Sequence, residues 1–132
     1  MYSKDTLAGI ILSNATLQIN ASRDITYKLG YSFKIKLILR GSPEYLEAVY
    51  RSLMQHQIHS KIRVVESKNR PKPILSIGRI SDLVKIENLL PKNAPTNKFD
   101  KHLFERLLEI ITTKKHLTLN GLDEILKLKE VL

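Results

Sequence analysis

LAGIILSNATLQIN, Leu7 to Asn20, changes its period halfway, and that change decides the fold. Leu7 to Leu12 is apolar or small at nearly every position. Ser3 and Asp5 stand ahead of it as helix caps, so about residues 3–14 are predicted as a buried helix. From Thr16 the pattern alternates. Leu17 and Ile19 fall on one side and Thr16, Gln18 and Asn20 on the other, as in a short half-buried strand. Gly9 and Ser13 lie one helical turn apart, so one narrow side of the helix lacks bulk and a second helix can approach it closely. Packing of those two residues under the chain's own sheet is the alternative.

Outward from this stretch, Ala21 to Gly30 is polar and reads as a loop or hairpin tip. YSFKIKLILR, Tyr31 to Arg40, is the clearest strand. Phe33, Ile35, Leu37 and Leu39 face one way; Ser32, Lys34, Lys36, Ile38 and Arg40 face the other. Gly41 ends it. Ser42 and Pro43 then open a helix as cap and first residue, with Leu46, Val49, Tyr50 and Leu53 as its apolar stripe. HSKIRVVES (59–67) is expected as a third strand with Ile62 and Val64 inward and Lys61, Arg63 and Val65 outward. A basic turn leads to a fourth strand with Leu75 and Ile77 inward. Ser81 and Asp82 are expected to start a helix carrying Leu83, Ile86 and Leu90. After a proline-rich linker, a helix at about 99–113 carries Leu103, Leu107, Ile110 and Ile111. A last helix is capped by Thr118 and carries Leu122, Ile125 and Leu126. The order α-β-β-α-β-β-α-α-α describes one α+β domain over residues 1–132, with a four-stranded antiparallel sheet.

Composition narrows the function. Of 132 residues, 42% are hydrophobic and 27% charged, an ordinary globular balance. There is no cysteine, which excludes disulfides and thiolate metal sites and suits a reducing compartment. No run is long and apolar enough to span a bilayer, so no membrane association is expected. The four histidines lack metal-ligand spacing, and no resident metal or cofactor is expected. The 22 Lys and Arg outnumber 13 Asp and Glu, for a net charge of +9. Such an excess favours a polyanionic partner, because each neutralised phosphate releases counterions. The outward strand sets are Gln18 and Asn20, then Lys34, Lys36 and Arg40, then Lys61 and Arg63, basic with no acid among them. Arg23, Lys28, Lys68, Arg70 and Lys72 surround them in loops. Lys and Arg suit phosphates or guanine edges, and Gln and Asn suit adenine.

Leu7, Ala8, Gly9, Ile10 and Ile11 match the first five positions of the LAGLIDADG motif, identically or conservatively. HLTLNGL, His116 to Leu122, is similar to the segment that opens the last helix of organellar members of that family. The chain therefore resembles a single-motif LAGLIDADG homing endonuclease over nearly its whole length. The resemblance implies an αββαββα core with extra C-terminal helices, and a sheet that forms a saddle on DNA. It also implies a homodimer with the motif helices, through Ala8, Gly9, Leu12 and Ser13, at its axis. The family cuts DNA with divalent metals held by an acid just before the motif's last glycine. Here that acid is Asn14 and the glycine is Ala15, while the motif's earlier acid is Leu12. Asp5 is at the wrong end of the helix, roughly 14 Å away at 1.5 Å per residue. Asp24 and Glu66 have no spacing that suggests a metal pair. A neutral amide is a poor ligand for Mg²⁺.

The expectation is thus a catalytically inactive homodimer that binds double-stranded DNA, as a transcription regulator or nucleoid-type binder. It would sit in the cytoplasm with the nucleoid, or alternatively in an organelle matrix. One alternative is an active endonuclease with a divergent site that uses Mg²⁺. The other is an RNA-binding descendant of the maturase or ribosome-associated kind.

Overall fold

The alternation in Tyr31 to Arg40 becomes the long central strand of the computed structural model, which describes residues 2–23, 31–93 and 99–131. The elements follow the expected order: α1 (Lys4–Asn14), β1 (Thr16–Arg23), β2 (Tyr31–Arg40), α2 (Pro43–Gln55), β3 (Lys61–Arg63), β4 (Ile74–Ile77), α3 (Ile80–Leu89), α4 (Lys101–Thr112), a 3-10 turn (Lys115–Leu117) and α5 (Leu119–Val131). The strands form one antiparallel sheet in the order β1-β2-β4-β3.

Register explains which residues share a face. Leu17 pairs with Leu37, Leu37 with Ile77, and Leu39 with Leu75, so the inward sets of three strands merge. Leu7 and Ile11 of α1, Leu46 and Leu53 of α2, and Leu83 and Ile86 of α3 join them in one buried cluster. Burial of each such side chain contributes about 1.5–3 kcal/mol before entropy is counted. Phe99 and Phe104 add a tilted ring pair, 5.4 Å between centroids, where α4 closes the core. All five helices thus leave the opposite face of the sheet free of helical cover.

Caps set the helix ends. The hydroxyl of Ser3 accepts from Thr6 N–H, and that of Ser42 accepts from Tyr45 N–H. Past α2, Ile58 N–H donates to Leu53 O and Gln57 N–H to Met54 O, closing the helix with Gln57 at φ 58°. The HLTLNGL segment has a similarly local logic. Thr118 Oγ1 donates to Lys115 O at 2.6 Å and accepts from Gly121 N–H at 3.1 Å. A Cβ on Gly121 would lie 1.8 Å from the Lys115 carbonyl oxygen, so only glycine lets α5 fold back on the 3-10 turn.

Several details differ from the sequence reading. β1 continues to Arg23, taking three residues from the expected loop. β3 ends at Arg63, and Val64, expected inward, is 80% exposed. Pro73 supplies no N–H to extend the β3–β4 ladder below Ile74, and Ser67 and Arg70 close a turn through reciprocal backbone bonds. α3 begins at Ile80 with Arg79 as its cap residue and no side-chain cap bond, because Asp82 faces elsewhere. Leu126, expected on an apolar face, is 38% exposed.

Candidate nucleic-acid interface

The helix-free face is built from the outward residues, and register arranges them in rows. Thr16, Ile38, Ser76 and Lys61 run across all four strands. Arg40, Ile74 and Arg63 form the next row. In the other direction lie the pairs Gln18 with Lys36 and Asn20 with Lys34. The structure therefore brings seven of the twelve expected contact residues onto one surface. Lys68, Arg70 and Lys72 are exposed on the arm that joins β3 to β4. Arg23 ends β1, but its side chain lies outside the described residues, as does Lys28 altogether.

Two features of this face were not visible in the sequence. Ile38 and Ile74 point outward by register yet are only 4% and 5% exposed. Glu66, set aside above for want of a metal partner, is an ion-pair hub. Arg40 Nε and Nη2 each donate to its carboxylate at 3.0 Å, Arg40 Nη1 reaches Thr16 Oγ1 at 3.5 Å, and Arg70 stands 3.9 Å from Glu66. The Arg40 hydrogen bonds hold the Glu66 carboxyl below its ordinary pKa. Arg40 consequently meets solvent with one edge of its guanidinium already occupied. An acid on an adjoining arm, 26 residues away, gives no local sequence signal.

The motif helix presents two sides. Leu7, Ala8 and Ile11 are buried in the chain's own core, so Ala8 belongs to that core. Gly9 and Ser13 are exposed, Leu12 is half-buried, and a Cβ on Gly9 would meet nothing within 4 Å. Ser13 Oγ donates to Gly9 O at 2.7 Å and needs no other partner. The small stripe therefore faces outward and not the sheet. At the C-terminal end of α1, Asn14 is exposed and Ala15 fully buried. The Tyr45 hydroxyl is buried near the Asn14 amide without a partner in good hydrogen-bond geometry. Burial raises the Tyr45 pKa, and Asn14 opposes that rise. Among the described residues, no group of three or more His, Asp or Glu is placed to hold a metal ion.

No protein-family model matches the chain. It is 29% identical over 128 residues to the probable intron-encoded endonuclease 3 of Neurospora crassa, a match covering 92% of the chain and 23% of that protein. The chain thus spans under a quarter of the length of this curated relative. The crystal structure of a homing endonuclease, I-TnaI, superposes with a TM-score of 0.80 at 22% identity, covering 99% of the chain and 88% of the other. The I-LtrWI LAGLIDADG homing endonuclease, bound to target DNA, gives 0.78 at 18% identity and covers 99% of the chain but 44% of the other. I-SmaMI, bound to an uncleaved DNA target in the presence of calcium ions, gives 0.76 at 23% identity with 98% and 44% coverage. The chain has the fold of the LAGLIDADG homing endonucleases.

Proposed function

We propose that the chain binds double-stranded DNA on the helix-free face of its sheet, as a homodimer joined along α1, and does not cut it. The observation that carries this reading is the face itself, where Lys34, Lys36, Arg40, Lys61 and Arg63 share one surface with Gln18 and Asn20. Glu66 at its border is neutralised by Arg40 and Arg70. Neighbours of the same fold are bound to DNA, and I-LtrWI has room in its chain for a second unit of this size. A second copy meeting the first at Gly9 and Ser13 would supply that unit here.

The metal site implied by the fold would need a carboxylate at the end of α1. The donors there are the Asn14 amide and the Tyr45 phenol, which do not fit a hard divalent ion. A non-cutting binder of this kind would act as a transcription regulator or nucleoid-type protein in the cytoplasm or an organelle matrix. The curated relative, an endonuclease by name, favours the second reading of an active enzyme. Incubation with duplex DNA and Mg²⁺ or Mn²⁺ tests both. No cleavage is expected, and cleavage abolished by altering Asn14 would establish the enzyme. Competition between duplex DNA and structured RNA at matched salt is expected to favour DNA; a clear preference for RNA overturns the reading.

A further inference from the structure

β4 stops at Ile77, opposite Leu37, while β1 and β2 run on as a two-stranded ribbon. Between that ribbon and the first turn of α3 lies an open cleft of about 650 Å³. Lys34 and Lys36 line one side and Lys61 and Arg79 the other, and His59 and Asp82 are among the remaining lining residues. Among the described residues, none of these four cations forms an ion pair with a carboxylate. All four line one cleft, so an anion seated there would meet cations from both sides.

The walls are fixed by an acid beneath the cations. Asp82 is 1% exposed and its Oδ1 accepts from His59 N–H at 3.1 Å, tying the segment before β3 to α3. Lys85 Nζ donates to Gln57 O at 2.7 Å and fastens the same two segments again. Asp82 Oδ2 is buried in the cleft wall without a hydrogen-bond partner. The stem of Lys36 lies beside Gly78, just past the end of β4.

We infer that this cleft is a clamp for the sugar–phosphate backbone of the bound duplex, with Arg79 and Lys61 gripping a phosphate beyond the end of the four-stranded sheet. Arg79 offers a planar fork for phosphate oxygens, and the lysines are point charges that do not discriminate among bases. Asp82 is the positioning residue, since it holds the wall that carries Lys61 to the wall that carries Arg79. The clamp rests on the duplex-binding reading. It adds Arg79, which no strand alternation marks as outward.

Single methylphosphonate substitutions along a bound duplex test it, since each neutralises one phosphate. One or two adjacent positions are expected whose neutralisation weakens wild-type binding about tenfold but leaves the Arg79→Ala, Lys61→Ala double variant unaffected. That variant should also lower the log–log salt slope by about 1 per lost phosphate contact. Arg79 makes no side-chain cap bond, so its removal leaves α3 capped as before; an unchanged melting temperature confirms this. Duplex binding in which no position couples to these two residues overturns the clamp alone. Absence of duplex binding overturns the duplex reading and the clamp with it.

Discussion

Arg40 on β2 clasps Glu66 on the β3–β4 arm through two hydrogen bonds, both 3.0 Å. This fork is the only ion pair among the described residues that ties the arm to the sheet's long central strand, and it fixes where Lys68, Arg70 and Lys72 stand. Glu66→Gln should release the arm and add one net positive charge. Total duplex affinity should then rise and its salt dependence steepen, while the ratio of specific to non-specific binding falls. Affinity measured on target and scrambled duplexes across a salt series checks this.

The same pair has a pH signature. Its carboxyl is held below the ordinary glutamate value of 4.5, so its stabilisation is present above that value and lost as pH falls through the depressed one. Acid unfolding followed by circular dichroism should show a shallower decline for Glu66→Gln than for wild type. Between pH 6 and 8, roughly neutral conditions, the two should not differ in slope.

Gly9→Phe separates assembly from folding. The position is exposed and a Cβ there would meet nothing within 4 Å, so the monomer should keep its melting temperature or gain about 0.3–0.5 kcal/mol of helix propensity. Sedimentation should show the dimer lost. A dimer that survives the bulky residue would place the interface elsewhere.

Gly121→Ala should act oppositely, damaging the fold and not the assembly. Its Cβ would collide with the Lys115 carbonyl, at an expected cost of about 2–3 kcal/mol. Thr118→Ala removes the cap bond to Gly121 N–H and should cost only about 1 kcal/mol. Urea titration of both variants checks the ranking.

Gln57→Gly should stabilise. The residue sits at φ 58°, where a side chain is strained, and its side chain is exposed. Relief of roughly 1 kcal/mol is expected, visible as a rise in the denaturation midpoint at unchanged m-value.

Much of this architecture was legible because burial on one face writes itself into alternation. Leu17, Ile19, Ile35, Leu37 and Leu39 are spaced by two, and all are buried. Parity gives the face of a residue but not its exposure. Ile38 and Ile74 follow the outward parity, yet both are buried. Val64 failed for a different reason: apolar parity predicts a strand, but the ladder it needs is ended by Pro73 across the sheet. Arg79 stands past the end of β4 as the cap residue of α3; its part in the cleft appears only when β4 is seen to stop at Ile77 while β2 runs on. Long-range pairings such as Arg40 with Glu66 and His59 with Asp82 leave no trace in local spacing.

The two buried isoleucines give the helix-free face an apolar base among its polar side chains. Ile74 lies between Arg40 and Arg63 in one row, and Ile38 shares the next row with Lys61. A ligand on this face therefore meets the side chains around the isoleucines and not the isoleucines themselves. Retargeting should leave positions 38 and 74 untouched and vary the residues around them, since a polar group at either position would lose its water without gaining a base to read.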